Sequence, residues 1–172
     1  QLIDDEVSER ILSESQFAIG KYNEGLKLKK ANDFDGAANI FTTVLQVFPE
    51  FRQGFINRAS CYLSLKRWRD YRLDLDSAQS IFYEEAIEEA KITSYKSEAS
   101  DMLAQQEYQA AVRLVNKALR ARRKSTDIQK GFMTVYTEYG RDLRKKKEFD
   151  EAVKLVKKGY SIYKDSEMKK LL

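Results

Sequence analysis

The apolar positions between Asn32 and Pro49 set the pattern of the whole chain. Phe34, Ala37, Ala38, Phe41, Val44, Leu45 and Phe48 follow one another at gaps of three, one, three, three, one and three. That spacing traces one face of a 3.6-residue helix. Pro49 ends it, because proline has no N–H to donate and disfavours helix in the residue before it. The phrase returns in weaker form as K-R-W-R-D-Y-R-L-D-L-D-S-A around Trp68, as Q-E-Y-Q-A-A-V-R-L-V-N-K-A-L around Tyr108, and as K-E-F-D-E-A-V-K-L-V-K-K-G-Y around Phe149. The four aromatics stand at 34, 68, 108 and 149, in steps of 34, 40 and 41 residues. A repeat near this period predicts stacked supersecondary units.

The segments between these phrases also read as helices. Apolar residues at 2, 3, 7, 11 and 12 predict a short N-terminal helix over 1–16, with Asp4, Asp5 and Glu6 in its first turn, where the helix dipole favours them. Ser13 and Gln16 have capping-box spacing and predict the start of a second helix carrying Phe17, Ile19, Tyr22, Leu26 and Leu28. Gly25 lies inside that helix; a glycine there costs about 1 kcal/mol relative to alanine, which implies close approach of a neighbouring helix. Phe55, Ala59, Tyr62 and Leu65 predict the next helix, and Lys66-Arg67 its turn. From Trp68 no glycine or proline interrupts the chain until well past residue 100. Either one long helix covers Arg69 to Lys91 or a turn falls between Ile81 and Glu85, and the lengthened 40-residue step favours the long helix. Tyr95, Ala99, Met102 and Leu103 open a third pair, with Gln105-Gln106 as its turn. Thr126 and Gln129 form a capping box for a helix with Phe132, Val135, Tyr136, Tyr139 and Leu143. Residues 166–172 add a further turn of helix or the start of another element.

Composition narrows the class. With 42% hydrophobic and 34% charged residues over 172 positions, the chain can bury a real core. One proline and seven glycines are too few for a strand-and-turn fold, so the expectation is all-α. No run of about 18 apolar residues is present, which leaves no membrane-spanning helix. The chain begins at Gln1 rather than methionine, as expected of a piece of something longer. Histidine is absent and Cys61 is the single cysteine, which removes the commonest general base and the residues of a zinc site. A lone cysteine forms no internal disulfide and points to an intracellular, cytoplasmic setting. Net charge is +4 but uneven: residues 1–86 carry 11 Lys and Arg against 14 Asp and Glu, and residues 87–172 carry 20 against 13. The C-terminal half therefore favours an acidic partner.

These features together resemble the tetratricopeptide repeat, whose 34-residue signature is W-x2-L-G-x2-Y, then A-x3-F, then P. Four units align near 18–51, 52–85, 92–125 and 133–166, within a single helical repeat domain over 1–172. The glycine slot falls on Gly25, Ala59, Ala99 and Gly140, and the small slot of the second helix on Ala37, Tyr71, Ala111 and Ala152. The phenylalanine slot falls on Phe41, Leu75, Val115 and Val156, and the alanine slot after it on Val44, Ala78, Ala118 and Gly159. The closing proline survives as Pro49, and Tyr71 departs from the pattern. The resemblance implies antiparallel helix pairs stacked into an α-α superhelix, with first helices lining a concave face. It implies a non-enzymatic protein-interaction module without cofactor or metal.

The family's most specific site is a carboxylate clamp that grips the acidic C-terminus of a chaperone. Its slots fall here on Tyr22, Leu26, Asn57, Thr93 and Ser97, and only Asn57 matches. A clamp needs converging cations, so the expected partner-binding face is of another kind. Its N-terminal part comprises Tyr22, Asn23, Leu26, Lys30, Ile56 and Asn57. Its basic part comprises Lys96, Arg141, Arg144 and Lys145. A protein or peptide with an apolar anchor and acidic residues suits it. The alternative for Tyr22 and Leu26 is packing against an N-terminal helix. The basic runs Arg120–Lys124 and Arg144–Lys147 lie at helix ends and read as solvated caps rather than a nucleic-acid surface. The carboxylates Glu84, Glu85, Glu88 and Glu89 read as the solvent face of a helix, and Cys61 as a core thiol. Two further readings stay open: a co-chaperone domain without a full clamp, and a basic platform for RNA or an acidic polymer such as a tubulin tail. Oligomeric state has no signature in the sequence.

Overall fold

The computed structural model describes residues 2–121 and 126–163, with side chains described over 6–119 and 132–161. Among the described residues all regular structure is helical: α1 (Leu2–Lys30), α2 (Phe34–Val47), α3 (Arg52–Ser64), α4 (Trp68–Ile81), α5 (Glu85–Ala104), α6 (Tyr108–Ala121), α7 (Thr126–Lys145) and α8 (Phe149–Tyr163). They divide into two compact units, residues 1–88 and 89–172. In the first, α1 pairs with α2 and α3 with α4, and α2 also packs on α3. In the second, α7 packs on both α6 and α8.

The turn inside each pair is the same object four times. Asn32, Lys66, Gln106 and Lys147 take left-handed backbone, with φ of 63°, 56°, 62° and 65°. The next N–H reaches back five residues: Asp33 donates to the Leu28 carbonyl, Arg67 to Tyr62, Glu107 to Met102 and Glu148 to Leu143. This is a Schellman motif, which satisfies carbonyls that the ended helix leaves free. The residue that closes one helix is the cap of the next, since the carbonyls of Asp33, Arg67, Glu107 and Glu148 accept from Ala37, Tyr71, Ala111 and Ala152. Asp33 adds a side-chain cap, accepting from the Gly36 N–H at 2.9 Å.

Packing follows the apolar phrase. Ala37, Ala38, Phe41, Val44 and Leu45 are buried. In the first unit Ala37, Ala38, Phe41 and Cys61 form a cluster with Tyr22, Leu26, Leu28, Phe34 and Tyr62 around it. In the second, Ala99, Ala111, Val115, Phe132, Val135, Tyr136 and Val156 do the same. Full burial of a side chain such as Phe41 is worth about 2–3 kcal/mol. The small slots behave as the spacing predicts: Ala37, Ala111 and Ala152 are buried. The departure at Tyr71 is accommodated with the ring buried, and that burial raises its pKa.

Two boundaries differ from expectation. The short N-terminal helix and its successor are one: α1 runs unbroken through Ser13 and Gln16, both exposed on its surface. A capping pair has work to do only where the chain leaves the helix, and nothing forces it to leave here. Conversely, the long helix over 69–91 does not exist. α4 ends at Ile81 and Phe82 adopts extended backbone at φ −150°, ψ 124°. The break is made by tertiary contacts rather than by a breaker residue. Arg52 of α3 ion-pairs with Glu84 and lies 5.5 Å over the Phe82 ring, while Gln79 Oε1 accepts from the Glu84 N–H at 3.2 Å. α7 begins at Thr126, and the side chains of Thr126 and Gln129, the Arg122–Lys124 part of the basic run and residues 166–172 lie outside the described residues.

Candidate functional site

In the first unit the neighbouring first helices α1 and α3 touch, and Asn57 is where they bond. Its Nδ2 donates to the Tyr22 hydroxyl at 2.8 Å and to the Gln53 carbonyl at 3.1 Å. Its Oδ1 accepts from Lys29 Nζ at 3.0 Å. The side chain is 6% exposed, so this network serves the α1–α3 junction and is fully committed. Tyr22 sets its ring edge-on to Phe51, with centroids 5.1 Å apart, and tilted against Phe41 at 5.8 Å. Burial pushes the Tyr22 hydroxyl pKa up, and the bond from Asn57 offsets part of that. Leu26 packs on the core cluster, Ile56 is half-buried, and Asn23 and Lys30 are exposed. Cys61 is a buried free thiol, and burial raises its pKa, with Lys29 opposing.

In the second unit Lys96 is half-buried on α5. Arg141, Arg144 and Lys145 are exposed at the end of α7. Spacings of three and four put them along one side of that helix. Arg141 pairs with Glu138 at 2.5 Å, and both side chains are open to solvent, so the pair is worth at most about 1 kcal/mol. Of the clamp slots, Thr93 is exposed and Ser97 half-buried, and neither is a cation.

Two features have no counterpart in the sequence reading. Arg58 of α3 forms a bidentate pair with Asp74 of α4, at 2.8 and 2.7 Å, and donates to Thr42 Oγ1 of α2 at 2.9 Å. It thereby ties three helices together, and donating to the Asp74 carboxylate raises its pKa. The signal was Asp74 itself, a carboxylate on the stripe that carries Tyr71, Leu75 and Ala78. The second is a cavity of about 300 Å³ lined by Ser15, Ala18, Ile19, Tyr22, Val44, Phe48 and Phe51. No group of His, Cys, Asp and Glu suited to a metal ion occurs among the described residues. Nor, among those residues, is any helix long and apolar enough to cross a membrane.

No protein-family model and no curated protein matches the sequence. Solved structures do. A tetratricopeptide-repeat protein of Bacteroides fragilis is similar with a TM-score of 0.57 at 15% identity, over 83% of this chain and 62% of that one. The tetratricopeptide domain of Arabidopsis OM64 is similar at 15% identity over 71% of this chain and 96% of that one, TM-score 0.40. The first such domain of human RPAP3 is similar at 18% identity over 71% and 91%, TM-score 0.37. The fold is that of the tetratricopeptide repeat, in divergent form. The Bacteroides likeness carries that statement, together with the four identical turns and the filled packing slots.

Proposed function

We propose that this chain is a non-enzymatic protein-interaction segment of an intracellular scaffold or adaptor. The observation that carries the reading is the contact of α1 with α3 through Tyr22 and Asn57. Adjacent first helices standing side by side are what a peptide-binding wall requires. In the first unit the wall is formed by Tyr22, Asn23, Leu26, Lys30 and Ile56, with buried Asn57 holding α1 to α3 behind it, and suits an apolar anchor. In the second unit Lys96, Arg141, Arg144 and Lys145 suit acidic side chains. The absence of cations from the clamp slots argues against recognition of a chaperone C-terminus. Selection of a random-peptide library on the whole chain tests this. Enriched peptides that combine an apolar anchor with Asp and Glu support it, and enrichment of basic or purely polar peptides contradicts it. A steep loss of binding to RNA with salt, matched by no peptide enrichment, would favour the basic-platform reading instead.

A further inference from the structure

α1 spans 29 residues, whereas its partner α2 spans 14. At about 1.5 Å per residue, the longer helix outruns the shorter by roughly 20 Å. The two run antiparallel, so the uncovered part is the N-terminal half of α1. The end of α2, at Val44 and Phe48, stands beside Ser15, Ala18, Ile19 and Tyr22 around the 300 Å³ cavity. Beyond that cavity the row containing Ala18 and Tyr22 continues through Ile11 and Val7, at helical spacings. Ala18 is 3% exposed, yet Val7 and Ile11 are 43% and 54% exposed. Leu12 and Ile19 lie exposed along the edge of the same row.

Charge selects what belongs there. Residues 4–14 carry Asp4, Asp5, Glu6, Glu9 and Glu14 against the single cation Arg10, and Arg10 lies 3.7 Å from Glu14. Two copies of the chain meeting face to face along α1 would oppose these carboxylates, whereas a cationic surface would be drawn to them. We propose that the uncovered face of α1, from Val7 to the cavity at Phe48, docks a basic amphipathic helix of another protein. The docked helix lies end to end with α2, sets its apolar stripe on Val7 and Ile11, and puts one apolar side chain into the cavity. Its surface shares only Tyr22 with the proposed peptide-binding wall, so either can fail without the other.

The test uses two labelled helical peptides with the same leucines at i, i+3, i+4 and i+7. One has Lys and Arg at its polar positions, the other Glu. Each is titrated onto the whole chain by fluorescence anisotropy. The basic peptide binds and the acidic one does not. Val7→Ser with Ile11→Ser weakens the basic peptide at least about tenfold, with helix content unchanged because both positions are exposed. Ile19→Lys, at the cavity rim, weakens it as well. The proposal is overturned if the basic peptide does not bind, if both peptides bind alike, or if the serine variant binds undiminished. It is equally overturned if sedimentation shows a dimer of this chain that the serine variant abolishes, since the occupant is then a second copy.

Discussion

A Cβ placed on Gly25 would stand 2.8 Å from Cε1 of Phe41. Glycine is therefore what lets α1 and α2 approach, and the aromatic ring occupies the space a side chain would take. The second unit repeats the relationship: a Cβ on Gly140 would stand 2.7 Å from Cγ2 of Val156. Gly25→Ala gains about 1 kcal/mol of helix propensity but overpacks a fully buried ring, which costs about 1–3 kcal/mol. The expected outcome is a net loss, read as a lower Tm in thermal unfolding. A higher Tm would mean that the helices separate freely and the slot is not a contact.

The turns offer the opposite change. Lys66 and Lys147 hold left-handed backbone that a Cβ disfavours. Lys66→Gly and Lys147→Gly should each stabilise the protein by about 0.5–1 kcal/mol, measured by urea unfolding. Asn32→Gly should gain less, because asparagine tolerates that region.

The Arg58–Asp74 pair is largely buried, with side-chain exposures of 17% and 6%. Removing the carboxylate leaves a guanidinium without its partner, so Asp74→Ala should cost about 3–5 kcal/mol. Asp74→Asn, which keeps an acceptor, should cost less. Equal losses in denaturant unfolding would show that the charge contributes nothing beyond the hydrogen bond.

Alkaline pH should destabilise the protein. Burial raises the pKa of Tyr136, whose hydroxyl donates to Asn116 Oδ1 at 2.8 Å, and burial likewise raises those of Tyr71 and Tyr22. The folded chain then holds protons that the unfolded chain has released. The stabilisation is complete below the ordinary tyrosine pKa of about 10 and is lost as pH rises from there toward the folded-state values. Tyr136→Phe should flatten the fall of Tm above pH of about 10. An unchanged slope would assign the loss to other groups.

Much of this fold was legible because its signals are local and periodic. Gly25, Ala59, Ala99 and Gly140 share a slot that the resemblance to the tetratricopeptide repeat implies, and Gly25 and Gly140 prove to be close approaches. What escaped was decided by contacts distant in sequence. The break at Phe82 depends on Arg52, thirty-odd residues earlier, and no glycine or proline announces it. Arg58 and Asp74 meet across two helices, and only the misplaced charge on an apolar stripe hinted at it. Ser13 misled in the other direction, since a capping pattern inside a continuous helix has no end to cap. For the site, the first-helix slots implied by the family resemblance named Tyr22 and Asn57. That Asn57 would spend all its bonds internally depends on where α3 lies against α1.

The most direct measurement is the affinity of a library-selected acidic peptide for three forms of the whole chain: unaltered, Arg141→Glu with Arg144→Glu, and Lys157→Glu with Lys158→Glu. All four residues are exposed, so folding is preserved, and the two double variants change net charge equally. The account predicts that reversal on the first helix α7 weakens binding about tenfold, mainly through the on-rate, while reversal on the second helix α8 changes it about twofold or less. Equal weakening by both pairs, or greater weakening by Lys157→Glu with Lys158→Glu, would contradict it.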